Sequence, residues 1–458
     1  MLLLISFSNA QPTSIPSGIK NFTQLTLSSS WNVGHGAYVQ QMINITESSF
    51  SNYIAYNTSF ANFEYFYSNG TVIPGWIESN SSGKIITWVK IKNTTTTFYL
   101  GFAAKTTNLL SSSCTSGIGE APQLSSTYAQ YDTGPCVFPY YQRFGSLHAL
   151  PSNWSEVPNT SVYFFEPYTY VQPEESVNGW YGIYLHPIPS SLSSTTTVWE
   201  FYANIYEVSA PDTDAGTSTG TTGNFNGYSF SESNSKIYLG NDNNEFLVST
   251  GYNDTNIKKI YSMQMNSATS LSMLINYTSI YSTTSATPET PTYFSFSLNT
   301  SDGSYSNPIY IYWLRTRTLP PDGVMPSVSF GAVQVVPITL TITPNPAVYG
   351  QSIIITATCP SSSDSCAIAY PNLTTVIASG TGTATYTYSA GALGVGTYSS
   401  YYAEDKTTAS NSTPQTLTIS KATPTISLST SPSSNYTYDG TGITATYNIS
   451  TYHNQLTG

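Results

Sequence analysis

KIITWVKIK, residues 84–92, has the period-two pattern of a β-strand with two different faces. Its lysines share one face with Ile86 and Trp88, and the opposite face is formed by Ile85, Val89 and Ile91. Similar short runs recur as TTTTFYLGF at 94–102, TVWEFYANIYEV at 197–208 and YFSFSL at 293–298. One buried and one solvated face are typical of the antiparallel sheets of sandwiches. The sequence therefore predicts an all-β chain.

The composition excludes several classes of protein. The chain has 458 residues, enough for roughly two to four domains with cores of their own. Only 8 % of the residues are charged, against about 25 % in ordinary soluble domains. No apolar run approaches the roughly 20 residues of a membrane helix, so we expect no transmembrane segment in this sequence. The net charge is −11 and the 13 basic residues are scattered, which argues against a nucleic-acid partner.

Two features favour an extracellular location. Residues 1–10, MLLLISFSNA, have the apolar run and small-x-small site of a signal-peptide remnant, although a first β-strand is the alternative. Sequons for N-glycosylation are frequent, which predicts a secreted glycoprotein at the cell surface. The candidate acceptors are Asn21, Asn44, Asn57, Asn69, Asn80, Asn93, Asn153, Asn159, Asn253, Asn276, Asn299, Asn372, Asn411, Asn435 and Asn448.

The four cysteines suit an oxidising compartment. Cys359 and Cys366 flank the polar loop PSSSDS, and Cys114 and Cys136 bracket a loop rich in Ser, Gly and Pro. Neither pair has the Cys-x-x-Cys spacing of zinc or redox sites. We expect two structural disulfides, and buried free thiols are the alternative.

The C-terminal part contains an internal repeat. PITLTITPNPAVYGQSIIITAT from Pro337 aligns with PTISLSTSPSSNYTYDGTGITAT from Pro424. The offset of about 87 residues is the size of an immunoglobulin-like sandwich. We therefore predict one repeat at 337–421 and the start of a second at 424–458, which the sequence truncates and which we expect to continue beyond it.

Several segments resemble known families of surface proteins. PNPAVYGQSIIITATC at 344–359 and TLTISKATPTISL at 416–428 resemble the bacterial immunoglobulin-like domains of prokaryotic surface proteins. FANFEYFYSNGTVIPGWIES at 60–79 and ITWVKIKNTTTTFYLGF at 86–102 resemble a family of unknown function found on archaeal and bacterial surfaces. The resemblance implies an N-terminal β-sandwich at 20–108.

That family typically precedes a concanavalin-A-like lectin/glucanase jelly roll. YDTGPCVFPYYQRFGSLHALPSNW at 131–154 resembles the beginning of such a domain, and KIYSMQMNSATSLSMLINYTSIYS at 259–282 resembles its middle strands. YWLRTRTLPPDGVMPSVSFG at 312–331 resembles its closing segment in archaeal members. The resemblance implies a concanavalin-like jelly roll at 109–334.

Two arginines lie one residue apart in IYIYWLRTRT, residues 309–318. Alternation places them on one strand face, at the rim of the sheet, together with Ile309, Ile311 and Trp313. One interpretation is that Arg315 and Arg317 stack on tyrosines or pair with local carboxylates. The other is that they bind the carboxylate of an acidic sugar or of a partner protein.

Catalytic patterns are missing from the sequence. Jelly-roll glucanases place two carboxylates, spaced Glu-x-Asp-x-x-Glu, about 5.5 Å apart across the glycosidic bond. The chain has no such spacing, and Glu200 and Glu207 are predicted to face opposite ways. The four histidines have no acid or cysteine partner nearby in sequence. We predict that the protein is not an enzyme.

One loop has the pattern of a calcium site. GNDNNEF offers Asn241, Asn243 and Glu245 at alternating positions, and oxygen ligands suit calcium. PDTDAG adds Asp212 and Asp214. A polar hairpin tip is the alternative, and no other cofactor is expected.

Aromatic residues are the strongest indication of function. The chain has 38 Tyr, 7 Trp and 19 Phe, and glycans stack on aromatic rings beside amide groups. Trp180 and Tyr181, in NGWYGIYL, are candidate ligand-binding residues. We predict an adhesion or glycan-binding protein with a lectin-like head and an immunoglobulin-like stalk, whose partners are glycans or other cell-surface proteins. The alternatives are a structural component of the envelope or of a filament, and a divergent glycan hydrolase.

Overall fold

The structure is a computed structural model. It describes residues 11–32, 37–55, 61–173, 179–188, 197–205, 213–218, 228–233, 236–241, 257–265, 270–284, 292–300, 308–360, 364–407, 410–423, 425–431 and 444–450. The predicted signal-peptide remnant, residues 1–10, lies outside the described residues.

The prediction of an all-β chain is confirmed. Helical structure in the described ranges is limited to α1 (Glu47–Phe50), α2 (Gly134–Val137) and a 3-10 turn at Pro321–Gly323. The chain forms two compact units. Unit 1 contains Met1–Ile15 and Phe22–Val333, and unit 2 contains Pro16–Asn21 and Gln334–Gly458. Each unit is described by itself below.

The first sandwich of unit 1 packs two antiparallel sheets face to face. Its strands are β1 (Asn21–Leu27), β2 (Tyr38–Thr46), β3 (Phe63–Phe66), β4 (Val72–Ile73), β5 (Gly75–Ser81), β6 (Lys84–Lys92), β7 (Thr97–Phe102) and β8 (Gly119–Glu120). Sheet A has the order β1-β7-β3-β4, and sheet B has the order β2-β6-β5-β8, in which β8 runs parallel to β5. Alternate residues of both sheets, such as Leu100 and Ile43, fill the core between them.

The second sandwich of unit 1 is larger. Its strands are β9 (Tyr140–Arg143), β10 (Trp154–Glu156), β11 (Thr160–Phe164), β12 (Thr169–Pro173), β13 (Gly179–Leu185), β14 (Thr197–Ile205), β15 (Thr213–Ser218), β16 (Tyr228–Ser233), β17 (Lys236–Asn241), β18 (Lys259–Met265), β19 (Leu271–Ile275), β20 (Thr278–Thr283), β21 (Tyr293–Thr300) and β22 (Ile309–Thr318). Sheet C has the order β10-β13-β21-β15-β16-β17. Sheet D has the order β11-β12-β22-β14-β18-β19-β20, and β9 also pairs with β22.

Sheet D has two faces with different neighbours. The inner face, which includes Phe201, Ile309 and Leu314, packs against sheet C in the main core. The outer face turns away from sheet C, and part of it packs against Trp76 and Trp88 of sheet B. The two sandwiches of unit 1 therefore meet through the outer faces of sheets B and D.

A β-bulge changes the alternation along β22. Tyr202 pairs with Trp313 and the next residue, Ala203, pairs with Ile311, so Tyr312 is the extra residue on β22. Ile309 and Ile311 consequently face the main core, whereas Trp313 lies in the cluster on the outer face. The prediction that Ile309, Ile311 and the two arginines share one face is therefore wrong, because simple alternation does not count an inserted residue.

The predicted wet face of β6 is also partly buried. Lys84 and Lys92 are exposed, as the pattern indicates, and Ile85, Val89 and Ile91 lie in the core. Trp88, however, is completely buried because it packs against Trp313 and its neighbours in the contact between the sandwiches.

One further strand, β23 (Val328–Phe330), belongs to the first sandwich. It pairs with β1, so residues that follow β22 along the chain return to sheet A. The predicted domain boundaries at 20–108 and 109–334 stay predictions.

Unit 2 is a smaller sandwich. It contains β24 (Gln334–Val335), which is in neither sheet of the sandwich, and then the sandwich strands β25 (Thr339–Thr343), β26 (Ala347–Val348), β27 (Ile353–Thr358), β28 (Ser365–Ala369), β29 (Val376–Thr381), β30 (Thr383–Tyr388), β31 (Gly396–Asp405), β32 (Ser410–Asn411) and β33 (Gln415–Ser420). The last two strands, β34 (Thr425–Ser431) and β35 (Thr444–Ser450), form a sheet of their own. One sheet has the order β25-β27-β30, and the other has the order β26-β33-β31-β28-β29. Strands β34 and β35 form a hairpin within the predicted second repeat. The repeat boundaries at 337–421 and 424–458 stay predictions.

The prediction of two disulfides is confirmed. Cys114 pairs with Cys136 at a Cα–Cα distance of 5.4 Å, and Cys359 pairs with Cys366 at 5.8 Å. The second bridge lies in the core of unit 2.

None of the helices in the described ranges has the length and apolar character needed to cross a bilayer.

Candidate functional site

The outer face of sheet D carries a buried ionic cluster. Arg315 on β22 donates from Nη2 to Glu78 Oε2 at 2.7 Å and from Nε to Glu200 Oε2 at 2.8 Å. Arg317 donates from Nε to the other oxygen of Glu200 at 2.9 Å. We call Glu78, Glu200, Arg315 and Arg317 the arginine cluster. Its two positive and two negative charges balance, as a buried ionic group requires.

Aromatic rings surround the guanidinium of Arg315. Its central carbon lies 4.5 Å from the ring centroid of Phe138 and 4.6 Å from those of Trp88 and Trp313, with Trp76 at 5.3 Å. A cation desolvated against aromatic faces is favoured by the quadrupoles of the rings. The arginine cluster therefore links the two sandwiches of unit 1, because Arg315 of sheet D contacts Glu78 and Trp88 of sheet B.

Further hydrogen bonds hold the carboxylates of the cluster in place. Glu78 accepts from Trp88 Nε1 at 2.8 Å and from the hydroxyl of Tyr277, and Glu200 accepts from Ser262 Oγ at 3.0 Å. Burial by itself would raise the pKa of Glu200, but Arg317 and Arg315 outweigh burial and hold that pKa below its usual value. Glu200 is therefore a charged structural carboxylate at neutral pH.

Glu78 reaches the cluster through a second bulge. Ile77 pairs with Thr87 and Ser79 pairs with Ile86, so Glu78 is the extra residue of β5. Bulges redirect side chains locally. The irregular positions of β5 and β22 thus lie on the two sheets that meet at the arginine cluster.

The two predicted ligand-binding arginines are buried. Arg315 is 0 % exposed and Arg317 is 4 % exposed, and both pair with carboxylates of the chain itself. Their positions correspond to pairing with local carboxylates, one form of the first interpretation, whereas the rings against which they lie are those of Trp and Phe and not the predicted tyrosines. Neither guanidinium lies at a solvated rim of the sheet.

A second part of the outer face of sheet D is a continuous set of aromatic rings. We call it the tyrosine face, and it consists of Tyr163, Phe165, Tyr168, Tyr170, Tyr202, Tyr310 and Tyr312. Tyr163 and Phe165 are the most exposed, at 38 % and 47 %, and Tyr170 and Tyr310 are half-buried. Apolar ring surface that remains accessible on a sheet is typical of ligand-binding surfaces.

The strand register aligns part of the tyrosine face in a row. Tyr163 is directly opposite Tyr170, Tyr170 is opposite Tyr310, and Tyr310 is opposite Asn204. The ring centroids of Tyr163 and Tyr170 are 4.6 Å apart with nearly parallel planes, and those of Tyr170 and Tyr310 are 5.9 Å apart. The row therefore crosses four neighbouring strands, β11, β12, β22 and β14.

Polar groups lie at one end of this row. The Oδ1 atom of Asn204 is buried and accepts no hydrogen bond from the part of the chain that the structure describes. Lys258, the exposed residue before β18, holds its Nζ 4.6 Å from the ring centroid of Tyr312. The tyrosine face thus combines ring surface with an amide acceptor and a cation.

The phenols of the tyrosine face are uncharged at neutral pH. Burial is the main cause that raises the pKa values of Tyr170, Tyr202 and Tyr312 above their ordinary value. Neighbouring tyrosines raise the pKa of Tyr170 further, and Glu78 raises that of Tyr202. Their hydroxyls are therefore able to donate and to accept hydrogen bonds.

The two other predicted ligand-binding residues lie on sheet C. Tyr181 is 3 % exposed and belongs to the main core, so it packs between the sheets. Trp180, on the opposite side of β13, is half-buried, and ligand binding by it stays a prediction. The structure therefore does not bring Trp180 and Tyr181 together in one site.

The predicted calcium site falls largely outside the described residues. Asn243 and Glu245, like Asp212, are not described, and Asn241 and Asp214 are described only as strand residues. Within the described ranges, no group of three or more His, Cys, Asp or Glu side chains is placed to hold a metal ion. A calcium site at this loop stays a prediction.

None of the ten sequon asparagines whose burial is described is buried. Asn44, Asn69, Asn80, Asn159, Asn276, Asn372 and Asn411 are exposed, and Asn21, Asn93 and Asn153 are half-buried. Asn57, Asn253 and Asn435 lie outside the described residues, and the side chains of Asn299 and Asn448 are not described. Glycosylation stays a prediction.

The sequence contained a signal for the tyrosine face that composition alone did not reveal. Tyr168 and Tyr170 alternate in YTY, and Tyr310 and Tyr312 alternate in IYIY. Tyrosines at alternate positions of two strands lie on one sheet face if the strands pair. The pairing of β12 with β22, which no local pattern predicts, brings them together.

The chain resembles several solved structures in part. The protein described as "Cellulose induced protein, Cip1" is 9 % identical, and the match covers 39 % of this chain and 96 % of that chain with a TM-score of 0.31. The β-glucanase of Bacillus licheniformis is 13 % identical, with 39 % and 96 % covered and a TM-score of 0.30. The metal-free carbohydrate recognition domain of Emp46p is 13 % identical, with 38 % and 89 % covered and a TM-score of 0.27.

No family model matches the sequence. No curated protein matches it either.

Proposed function

We propose that this chain is a secreted, non-catalytic glycan-binding protein of the cell surface, and that the tyrosine face is its binding surface. The observation that supports this most directly is the row of Tyr163, Tyr170 and Tyr310, which ends at an amide oxygen that has no donor among the described residues. This row is on the face of sheet D that does not pack against sheet C.

The chemistry of sugars suits such a surface. A pyranose ring has an apolar C–H face and hydroxyl groups around its edge. Stacking the C–H face on a tyrosine removes apolar surface from water, while phenol and amide groups bind the hydroxyls. Tyrosine supplies this contact area at a small cost in side-chain entropy, because only two torsions are fixed.

The proposal includes binding without hydrolysis. A glycosidase requires one carboxyl group that gives a proton and a second that acts as nucleophile or base. Among the described residues, Glu78 and Glu200 converge on the outer face of sheet D, and Arg315 lies between them. Proton transfer from either acid to a substrate would require the arginine cluster to come apart. We expect no release of reducing ends from any glycan that binds.

A glycan array with the full chain tests the proposal. For any glycan that binds, we expect the double variant Tyr163→Ala/Phe165→Ala to weaken binding by roughly tenfold or more, which corresponds to about 1.4 kcal/mol. Both side chains are among the exposed large residues, so their truncation leaves the core intact.

A matched variant on sheet C serves as the control. Tyr184 and Tyr293 form another ring pair, with centroids 5.7 Å apart, on β13 and β21. Tyr184→Ala/Tyr293→Ala removes a comparable pair of rings and should leave affinity unchanged. Equal losses in the two double variants, or an array without any bound glycan, would contradict the proposal.

A further inference from the structure

We propose that the tyrosine face selects an acidic oligosaccharide, whose carboxylate pairs with Lys258 and one of whose hydroxyls donates to Asn204 Oδ1. This inference rests on the proposed function and adds the class of the ligand.

The length of the row favours an oligosaccharide over a single sugar. Tyr163, Tyr170, Tyr310 and Asn204 are successive cross-strand partners on four strands. Neighbouring strands are about 4.8 Å apart, so the row extends over roughly 14 Å. A ligand that uses the whole row must therefore contain several linked sugars.

Asn204 provides a specific acceptor at one end of the row. Its neighbours along the strand, Ala203 and Ile205, face the main core, so Asn204 shares the outer face with Tyr202. Its Oδ1 atom is buried and receives no hydrogen bond within the described residues. A buried acceptor without a donor is unfavourable, and a sugar hydroxyl would satisfy it.

Lys258 extends the row beyond Asn204. Ala203 pairs with Lys259, and continuing this antiparallel register by one residue places Lys258, the residue before β18, opposite Asn204. Its ammonium group lies over the ring of Tyr312, and none of the ion pairs in the described part of the chain includes it. An exposed ammonium group beside a ring surface is complementary to the carboxylate of an acidic sugar.

The cation of the ligand site therefore differs from the ones that the sequence suggested. Arg315 and Arg317 form ion pairs with Glu78 and Glu200 inside the arginine cluster. Lys258 keeps an exposed ammonium group on the same face of sheet D.

Binding of a matched pair of probes tests the inference. We would titrate the full chain with tetragalacturonate and with the neutral tetragalactose of the same linkage, at low and at physiological salt. The acidic tetramer should bind about fivefold more tightly at low salt, and the advantage should shrink as salt screens the exposed charge pair.

Two lysine variants separate the site from general charge effects. Lys258→Met should remove the preference for the acidic tetramer, whereas Lys84→Met, an equal change of charge at an exposed position of β6, should keep it. Asn204→Ala should weaken binding of both tetramers, because both carry hydroxyl groups that can donate a hydrogen bond to Oδ1.

The outcomes distinguish this inference from the proposed function. If the neutral tetramer binds as well as the acidic one, or if Lys258→Met leaves the preference unchanged, the acidic ligand class is wrong while glycan binding stands. If neither tetramer binds and the wider array is also empty, both the inference and the proposed function fail.

Discussion

At the scale of single residues, Arg315 and Arg317 differ although they are two positions apart on one strand. Arg315 pairs with Glu78 and Glu200 and lies against several aromatic rings. Arg317 pairs with Glu200 alone and lies 5.5 Å from the ring centroid of Trp88. Removing one partner of a buried ion pair is costly because it leaves an uncompensated charge in the protein interior.

Replacement of these two arginines by methionine should therefore have unequal effects. Arg315→Met leaves Glu78 without a cation and should lower the free energy of unfolding of unit 1 by about 3–5 kcal/mol. Arg317→Met leaves Glu200 paired with Arg315 and should cost less than half as much. Denaturant unfolding, followed by tryptophan fluorescence, measures both. Equal losses would show that Glu78 and the ring cage contribute little.

Glu64 on β3 should make the stability of unit 1 depend on pH, because burial raises the pKa of its carboxyl group. It is 4 % exposed and accepts a hydrogen bond from the Gly117 N–H at 2.8 Å, which lowers the pKa only in part. A carboxyl group with a raised pKa in the folded state favours folding when it is protonated. Its contribution is complete below the unfolded pKa and is lost as pH rises through the folded pKa.

Glu64→Gln removes this titration. At each pH, the free energy of unfolding of the wild type is subtracted from that of the variant. This difference should be more favourable to the variant at pH 7 than at pH 4. Glu156→Gln, which removes a charge from an exposed position on β10, is the control and should show a smaller difference. A pH dependence unaltered by Glu64→Gln would mean that the buried carboxyl group does not govern it.

At the scale of elements, the bulge at Tyr312 decides which side chains form the two clusters of the outer face. Before the bulge, Ile309 and Ile311 face the main core, and after it Leu314 does so. The one-residue shift turns Trp313, Arg315 and Arg317 away from sheet C. A register shift of one residue moves every later side chain to the opposite face.

Deletion of Tyr312 should therefore leave the two faces of β22 unchanged. Without the extra residue, Trp313 would follow Ile311 directly, and both could keep their partners on β14 with regular alternation. Deletion of Leu314, a regular position, would instead direct Arg315 and Arg317 into the apolar core and should abolish cooperative folding of unit 1. Thermal unfolding monitored by circular dichroism compares the two deletion variants. Loss of the cooperative transition in both, or in neither, would contradict the role of the bulge.

The sequence predicted the strands well because the period-two pattern is local. Ile85, Val89 and Ile91 are buried as expected from KIITWVKIK alone. The burial of Trp88 was not predictable, because the residues that pack on it belong to β22, a strand far along the chain. The contact between the same two sheets joins Glu78 to Arg315, which are 237 residues apart. Bulges escape prediction for a related reason, since an inserted residue has meaning only relative to its partner strand.

The candidate site was predictable only in its composition. The aromatic composition indicates glycan binding, but the sequence neighbourhood of Trp180 and Tyr181 does not show that Tyr181 lies in the core. The rings that form a surface are brought together by the pairing of β11 with β12 and of β12 with β22. A hairpin and a strand more than a hundred residues later cannot be matched from alternation alone.

At the scale of the whole molecule, the outer face of sheet D in unit 1 has two parts, one in contact with the first sandwich and one with accessible aromatic rings. Where the first sandwich covers sheet D, two arginines and two glutamates neutralise each other among tryptophans. Beside this contact, the same face carries Tyr163, Phe165 and their neighbours, which retain accessible surface. We infer that the first sandwich stabilises a face that would otherwise expose charged groups and tryptophans, and that the tyrosine face is left for the ligand.

Hydroxyl-radical footprinting by mass spectrometry, with and without a glycan identified by the array, tests this division most directly. We predict that bound glycan protects Tyr163, Phe165 and Tyr170 from oxidation and leaves Tyr184 and Tyr293 on sheet C unchanged. Protection confined to sheet C or to unit 2, with no change at the tyrosine face, would contradict this prediction.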